Sequence, residues 1–453
     1  MALPYPPFKN KVIEPIAVTS RSERQEVLAK AAYNMFRIPS DKVGIDLLTD
    51  SGTNAMSAAQ WGRMFEGDEA YAGATSFRRF RETVRTITGM EFVLPVHQGR
   101  AAERIVFEAL VKKGDIVPSN TAFDTTRGNL ERNGAIALDI PHASARDLDS
   151  DAPFKGDIDL ERLEKCLVEH KGHVPMVILT ITNNAGGGQP MQPANARAAK
   201  AICDKHGVPV WIDAARFAEN AGLVIERDPE SKGKTPLQVA QEIFALADGV
   251  MMSSKKDAIA NMGGFVTCRD EKLFDQLSGI CIATEGFVSY GGLAGRDLEA
   301  LAQGLNEGLD PAYLEYRIGQ TAYLHAKLKK AGVPVLSPPG GHAVFVDAGR
   351  MFPHIPAHQF PGQALCCELY LEGGIRPVEI GSMMFGGGAS VHEGGRELVR
   401  LAIPRRVYET AHLDYVAQVC ASIMKRAGEL PGYEILEGSG PLRHFVAKLR
   451  PVR

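Results

Sequence analysis

The sequence has no long hydrophobic run and no strong charge of either sign. No apolar stretch in its 453 residues approaches the roughly 18 residues that a membrane helix needs. The first residues, Met-Ala-Leu-Pro-Tyr-Pro-Pro-Phe, show neither the charged nor the apolar region of a secretory signal. The formal net charge is -3, and no sustained basic run is present. We therefore expect a cytoplasmic protein that binds neither nucleic acid nor membrane.

The cysteines and histidines also do not occur at the spacings that are typical of transition-metal sites. The seven cysteines show no C-x-x-C pair, and Cys366-Cys367 falls within a helical pattern, which indicates buried reduced thiols. The twelve histidines do not cluster at zinc-site spacing, since His354 and His358 lie in a proline-interrupted stretch without a third ligand. We expect no transition metal.

Helical patterns alternate with short apolar runs through the middle of the chain. Runs such as Val174–Thr182 and Gly264–Cys268 are typical of buried strands, and their alternation with helices predicts an α/β fold with a mainly parallel sheet. An amphipathic helix is expected at 24–36, and Pro193 and Gly207 are expected to bound another. The predicted segments are an amino-terminal arm with part of a small domain at 1–46, a large domain at 47–310, and a carboxyl-terminal small domain at 311–453.

Two of the apolar runs end in ionisable groups. One closes on Asp213 and Arg216, and the other on Ser253 and Lys256. Such residues are usually solvated, but a single helical stretch separates the runs, so a right-handed crossover would place both ends at one ligand-binding sheet edge. Pyridoxal phosphate needs an amine for its Schiff base and an acidic partner for its pyridine nitrogen. Lys256 and Asp213 can be these groups.

A glycine turn between a predicted strand and a predicted helix suggests where a phosphate could bind. Gln98, Gly99 and Arg100 follow the run that ends at Val96, and they open a helical pattern. Free backbone N–H groups, the helix dipole and an Arg favour an anion at such a place, where an ordinary tight turn is the alternative. Ser253 and Ser254 could close round the same phosphate.

Three further residues, Phe123, Asn184 and Arg405, could bind a cofactor or a substrate, but each also has an ordinary structural explanation. Phe123 could stack on a cofactor ring or pack in the core. Asn184 follows the strongest apolar run, where its amide could donate to a phenolate or carboxylate or belong to a simple loop. Arg405 follows the run 398–403, which would fix a guanidinium for bidentate capture of an α-carboxylate.

Ordered stretches of the chain resemble the β-eliminating lyases over nearly its whole length. The resemblance implies a fold-type I, aminotransferase-like pyridoxal-phosphate enzyme with a seven-stranded, mainly parallel sheet and a smaller α/β domain. It also implies a homotetramer built as a dimer of dimers and a supporting potassium ion. The matching stretches are Leu48–Thr53, Asp68–Gly73, Gln98–Arg100, Gly187–Pro190, Asp213–Arg216, Ser289–Leu293 and Ile403–Arg405.

The resemblance also implies roles for individual residues. Lys256 corresponds to the Schiff-base lysine, with Lys255 as its neighbour, and Tyr71 to a general acid contributed across the dimer interface. The remaining matched positions are Asp213 at the pyridine nitrogen, Arg216 and Asn184 at the ring phenolate, Phe123 on the ring face, Gln98, Gly99, Arg100 and Ser253 at the phosphate, Arg405 and Thr49 at the substrate carboxylate, and Gly52, Glu69 and Asn261 at potassium.

Asp124, Ile380 and His444 bear on the choice of substrate. In the resembled family, Thr and Arg at the first two positions accompany phenol elimination from tyrosine, whereas Asp, an aliphatic residue and a carboxyl-terminal His accompany tryptophan cleavage. Ile380 offers a phenolic hydroxyl no partner, and Phe287 can pack against an indole. The resemblance therefore implies a carbon–carbon lyase that converts L-tryptophan to indole, pyruvate and ammonia, with Lys256, Tyr71, Asp124 and His444 as catalytic residues.

Other functions stay open at this level. A tyrosine phenol-lyase or an aminotransferase on the same fold would share the Lys, Asp and Arg roles, and a non-catalytic scaffold would bind the cofactor without turnover. The glycine-rich stretch 385–395 departs from the family pattern. The sequence therefore does not decide whether a lid closes over the site.

Overall fold

A computed structural model describes residues 3, 5–184, 186–385, 396–440 and 442–452. The glycine-rich stretch 385–395 therefore lies, apart from Phe385, outside the described residues. The chain divides into two compact units, one formed by Met1–Asp50 with Gly319–Arg453 and the other by Ser51–Ile318. We call them the terminal unit and the central unit.

The strands are short, and most of them lie where an apolar run was found. In chain order the strands of the described residues are β1 (Ile45–Asp46), β2 (Phe92–Val96), β3 (Ile116–Ser119), β4 (Ile136–Asp139), β5 (Val177–Thr180), β6 (Val210–Asp213), β7 (Gly249–Ser253), β8 (Gly264–Cys268), β9 (Ala343–Asp347), β10 (Ile375–Arg376), β11 (Val378–Ile380), β12 (Leu398–Ala402), β13 (Tyr433–Glu437) and β14 (Lys448–Pro451).

The α-helices alternate with these strands. None that the model describes is long and apolar enough to cross a membrane. They are α1 (Arg21–Lys30), α2 (Ala58–Met64), α3 (Thr75–Thr88), α4 (Gly99–Leu110), α5 (Asp124–Arg132), α6 (Leu160–Glu169), α7 (Pro193–His206), α8 (Phe217–Arg227), α9 (Pro236–Phe244), α10 (Glu271–Thr284), α11 (Gly295–Gly308), α12 (Pro311–Lys330), α13 (Ala348–Met351), α14 (Pro361–Gly373), α15 (Ser382–Phe385), α16 (Thr410–Lys425) and α17 (Arg443–Val446).

The central unit is built on a seven-stranded sheet in the order β2-β8-β7-β6-β5-β3-β4. All pairings from β7 to β4 are parallel, whereas β8 is antiparallel to both of its neighbours. The mainly parallel, seven-stranded sheet is thus confirmed. Because β6 and β7 are adjacent and parallel, their carboxyl ends lie side by side, as the crossover argument requires.

Local sequence signals set both ends of helix α7, before β6, and the start of helix α9, before β7. Pro193 occupies the first turn of α7, and Gly207 ends it at φ 68°, a left-handed conformation that favours glycine. Thr235 caps α9, and Gln238 completes the capping box. These helices bury their apolar faces in a core that includes Ala199, Cys203 and Val239.

The terminal unit has its own core and smaller sheets. Strands β11, β12 and β9 form an antiparallel sheet, and β1 pairs with β10 in parallel. Its core includes Leu365, Leu369 and Tyr370 of α14. Cys366 and Cys367 on this helix are buried, and all seven cysteines are free and buried, which confirms the reading of the cysteines as reduced thiols.

The first helix differs from its predicted extent of 24–36. It begins earlier, because Ser20 and Glu23 form a capping box, and it ends at Lys30. Ala32 and Tyr33 then adopt positive φ values, which a helix does not allow. The side chain of Asn34 donates to the backbone oxygens of Ala447 and His444, at 2.8 and 3.2 Å. The apolar pattern that predicted a helix as far as residue 36 thus runs on beyond the end of α1 at Lys30. Hydrogen bonds from Asn34 to distant residues stabilise the turn that follows the helix.

Candidate active site

Lys256 and Asp213 lie close together at the carboxyl ends of β7 and β6. Lys256 Nζ donates to Ser253 Oγ at 2.9 Å. Burial raises the pKa of Asp213, while the positive charges of Lys256 and Arg216 counteract that rise. The amine, the serine hydroxyl and the carboxylate that the sequence singled out are therefore neighbours in the central unit.

Asp257, to which sequence reasoning gave no role, holds this pair of loops together. Its Oδ2 accepts from the backbone N–H groups of Ala218 and Glu219 at 2.7 and 3.0 Å, in the first turn of α8. That helix starts directly after the loop of Asp213 and Arg216. A carboxylate at a helix N-terminus is favourable, so Asp257 anchors the Lys256 loop to the Asp213 loop. Its position next to Lys256 was the available signal.

Gly99 and Ser253 form a cradle at the start of helix α4. A Cβ atom at residue 99 would lie 2.5 Å from Ser253 Cβ, so only glycine fits without displacing the serine. Gln98 occupies the N-cap position, and its side chain does not cap the helix. The free N–H groups at this helix start suit an anion.

Two observations test whether these residues fit a phosphate-bearing cofactor. The glycine cradle lets the anion approach the backbone of α4, and the fully buried Ser254 Oγ has no hydrogen-bond partner among the described residues. Arg100 is exposed beside Lys255, whose pKa is lowered by burial and by that guanidinium. The cations Arg100 and Lys255, the glycine cradle, and an amine next to a half-buried carboxylate fit pyridoxal phosphate. Lys256 would link the cofactor, and Asp213 would pair with its ring nitrogen.

Phe123 and Asp124 lie at the start of helix α5. Phe123 is the N-cap residue and is half-buried, and Asp124 Oδ1 accepts from the N–H of Thr125 at 2.6 Å. In the same helix, Thr125 and Thr126 donate to the buried Glu103 of α4. Sequence reasoning missed Glu103, although its place one turn beyond Gly99 was a usable signal.

Asn184 and Arg216 belong to neighbouring loops beyond β5 and β6. Both residues are buried. The N–H of Arg216 donates to the carbonyl of Ile181 at 3.3 Å, which brings the two loops together. Asn183 donates to Thr121 Oγ1 at 2.9 Å and so orders the loop before Asn184.

Tyr71 is 69% exposed and packs on an aromatic group of the central unit. Its ring stacks on Phe287 at 5.3 Å and meets the edge of Tyr290 at 5.4 Å. Hydrogen bonding to Tyr290 raises the pKa of Tyr71. Ser289 Oγ also donates to the backbone oxygen of Tyr71 at 2.9 Å. Phe287 thus contacts the predicted general acid, a contact that the sequence did not reveal.

Arg405 forms a buried ion pair in the terminal unit. Its Nη1 lies 3.0 Å from Asp50 Oδ2 and 3.3 Å from the backbone oxygen of Asp50, and neither residue has any exposed surface. Thr49 immediately precedes Asp50, so the structure brings together the two residues matched to the substrate carboxylate. Asp50 was part of the matching stretch 48–53, but its role as the partner of Arg405 was not foreseen.

Ile380 and His444 are both buried in the terminal unit. Ile380 ends β11 and pairs with Leu398 of β12. His444 packs against Phe36 and Phe445, with ring centroids 5.9 and 3.9 Å away. Burial, together with the positive charge of Arg400, lowers the pKa of His444 to about 4. Its imidazole is therefore neutral near pH 7.

Two of the three residues matched to potassium meet within the central unit. Asn261 Nδ2 donates to the backbone oxygens of Gly52 and Asn54 at 2.9 and 3.0 Å. Glu69 instead lies 3.1 Å from Arg296 Nη1 and accepts from the N–H of Gly295 at 3.2 Å. Gly52 and Asn261 are thus hydrogen-bonded to each other, whereas Glu69 is bound by the first residues of α11.

Comparison with known proteins decides the family. The model of the Beta-eliminating lyase family matches residues 46–419. The chain belongs to the β-eliminating lyase family. Tryptophanases of Hyphomonas neptunium and Salinibacter ruber are each 50% identical to it, over 97% and 98% of this chain and 98% and 95% of theirs. A tyrosine phenol-lyase of Pasteurella multocida is 45% identical over 99% of both chains.

Solved structures with much lower identity share the fold of this β-eliminating lyase. A serine palmitoyltransferase from S. paucimobilis, solved with a bound PLP-myriocin aldimine, has a TM-score of 0.60 at 15% identity, over 90% of this chain and 96% of that one. A Leishmania major threonine aldolase also reaches 0.60, at 14% identity, over 84% and 99%. The predicted fold-type I architecture is thereby confirmed.

These findings fix the general activity of the enzyme. It is a lyase that depends on pyridoxal phosphate and catalyses β-elimination. Family membership favours this activity over an aminotransferase or a non-catalytic scaffold. Relatives of both named specificities match the chain, so the leaving group has to be argued from its own residues.

Proposed function

We propose that this β-eliminating lyase cleaves L-tryptophan to indole, pyruvate and ammonia. The observation that carries the proposal is Ile380, a buried aliphatic side chain at the position where the resembled phenol-eliminating enzymes have an arginine. Asp124 and the neutral His444 support it. Indole is large and mostly apolar, and it gains nothing from a charged clamp, whereas a phenolic hydroxyl loses its partner at such a site.

Lys256 and Asp213 have the central roles in the proposed mechanism. Bound pyridoxal phosphate supplies an electron sink for the carbanion at the substrate Cα. Lys256 would hold the cofactor through its Nζ, and the same amine, when free, would remove the Cα proton of the substrate. Asp213 would pair with the ring nitrogen and stabilise its protonated form, while Gln98, Gly99, Arg100 and Ser253 would bind the phosphate.

The proposed departure of indole depends on Tyr71 and Asp124. An indole group leaves only after a proton reaches the carbon through which it is attached. Tyr71, with a pKa raised by Tyr290, keeps its phenolic proton at neutral pH and can donate it. Asp124 assists that transfer. Phe287, which stacks on Tyr71, offers an aromatic surface for indole. The other residues proposed to bind the substrate are Asn184, Thr49, Arg405, Ile380 and His444.

Tryptophan should therefore be cleaved far better than tyrosine. Leaving a buried phenolic hydroxyl without a partner costs about 1 to 3 kcal/mol, which corresponds to discrimination on the order of tenfold or more. The measurement is kcat/KM for each amino acid, from pyruvate release together with indole or phenol formation. A preference for tyrosine would instead assign phenol elimination, the second candidate, which the tyrosine phenol-lyase of Pasteurella multocida makes a specific alternative.

Asp124→Ala provides a sharper version of the same test. It should reduce tryptophan cleavage strongly and spare S-alkyl cysteines, because a thiolate leaves without protonation at carbon. Glu131→Ala, an exposed position at the far end of α5, is the matched control and should change neither reaction. Equal loss with both substrates would show that Asp124 supports the cofactor rather than the indole step.

We also propose a potassium ion bound by Gly52, Glu69 and Asn261 across a subunit interface. The carbonyl oxygen of Gly52, which Asn261 contacts, is a suitable hard ligand, and Glu69 supplies the charge. Activity should rise severalfold when potassium replaces sodium at constant ionic strength. An activity that does not respond to this exchange would leave these residues a structural role only.

A homotetramer built from dimers, located in the cytoplasm, completes the proposal. Tyr71 is 69% exposed and Phe65 is 92% exposed, and large apolar side chains of this kind are commonly covered by a neighbouring subunit. Contact with a second copy would also bring Tyr71 to a site other than that of its own chain.

A further inference from the structure

We infer that Glu103 is a positioning residue that ties the phosphate-binding helix α4 to helix α5 and so fixes the plane of the cofactor ring. The inference rests on the cofactor placement proposed above for Gly99 and Phe123. Neither the sequence patterns nor the mechanism gave Glu103 a role, although it is a buried acidic residue of the proposed phosphate-binding helix.

Both oxygens of the Glu103 carboxyl group are bound by side chains of α5. Thr126 Oγ1 donates to Oε1 at 2.6 Å, and Thr125 Oγ1 lies 3.3 Å from the same oxygen. Asn129 Nδ2 donates to Oε2 at 3.1 Å. The donors come from the first two turns of α5, so the connection is made near the start of both helices.

The location of this connection gives it a geometric function. Glu103 is one helical turn beyond Gly99, where the phosphate is proposed to bind, and Thr125 follows Phe123 and Asp124 closely. The phosphate and the ring of the cofactor are covalently joined, so their separation is fixed. A rigid link between the two helix starts holds the ring-stacking Phe123 at the distance from the phosphate that the cofactor requires.

Glu103 lies within electrostatic range of Asp213, the proposed partner of the ring nitrogen. Burial raises the pKa of Glu103 to about 7, and the negative charge of Asp213 raises it as well, while the three α5 donors counteract this. A buried carboxyl group is costly, and apolar packing between the helices would serve stability alone at lower cost. Its presence on α4, where it binds side chains of α5 and senses the charge of Asp213, is accounted for by positioning.

The test is Glu103→Gln, which preserves size but turns one of the two acceptor oxygens into a donor. Binding of pyridoxal phosphate to the apoenzyme should weaken by about tenfold or more, as expected when a hydrogen bond to a charged group is lost. At saturating cofactor, the visible circular dichroism of the holoenzyme should also change in intensity, because the ring is no longer held in the same plane. Glu108→Gln makes the same chemical change at an exposed position of α4 and should alter neither readout.

A second variant protects the test against simple misfolding. Thr126→Val removes the donor at 2.6 Å, keeps the carboxyl group and the side-chain volume, and should shift the circular dichroism in the same direction. Thermal unfolding of each apoenzyme shows whether it is folded. A normal spectrum at saturation in both Glu103→Gln and Thr126→Val would overturn the inference, even if cofactor affinity fell.

A parallel variant separates this inference from the proposal beneath it. Phe123→Leu should change the circular dichroism if Phe123 stacks on the ring. A changed spectrum for Phe123→Leu with normal spectra for the Glu103 and Thr126 variants would refute the positioning role alone. An unchanged spectrum for Phe123→Leu would refute the ring placement on which the inference depends. No amino acid is added, so the identity of the preferred substrate does not influence either result.

Discussion

Replacement of Lys256 by Ala is expected to abolish turnover, with a loss on the order of 10⁴-fold or more, because in the proposed mechanism one amine both links the cofactor and removes the Cα proton. Nζ of this lysine lies 2.9 Å from Ser253 Oγ, and its charge acts on Asp213. No other amine is expected to replace it there. The measurements are pyruvate release from tryptophan and the amount of cofactor retained on the protein after borohydride reduction.

Two comparisons make the Lys256→Ala result specific. Lys272→Ala, at an exposed position of α10, should retain both the covalent link and the activity. Mapping of the reduced product then locates the link. If Lys256→Ala still forms a reducible link at Lys255, the catalytic role belongs to that neighbour.

Arg405→Ala is expected to weaken tryptophan binding by about 2 to 5 kcal/mol, the usual cost of truncating one member of a buried charge pair. The guanidinium has no exposed surface, so bulk water would not compensate its loss at the proposed site of the substrate carboxylate. Bound cofactor should keep its visible spectrum, because Arg405 is not expected to contact it. The measurements are KM for tryptophan and its spectroscopic dissociation constant.

Asp50 complicates this variant and also provides its control. Removal of Arg405 leaves the buried Asp50 carboxylate without its partner at 3.0 Å, so Arg405→Ala should lower stability as well as affinity. Arg405→Ala combined with Asp50→Asn should recover thermal stability without recovering affinity. Recovery of tryptophan binding in the double variant, or normal binding in Arg405→Ala, would remove Arg405 from the substrate site.

The sequence alone determined those parts of the molecule that depend on neighbouring residues. Strand β8 and helix α7 lie where the patterns placed them, because buried apolar runs, an N-terminal proline and a C-terminal glycine act locally. The meeting of Lys256 with Asp213 was also predictable. The handedness of a single crossover between adjacent parallel strands suffices for it.

Only the tertiary structure decided which distant side chains meet. The ion pair of Arg405 with Asp50 joins residues 355 positions apart. Asp257 caps helix α8, which starts at Phe217, 40 positions earlier in the chain. Likewise, the link from Glu103 to Thr126 and the bonds of Asn34, just beyond the end of α1, join separate elements. Periodicity and composition report the environment of each residue, but hydrogen-bond partners are set by the packing of whole helices and strands, which no local pattern encodes.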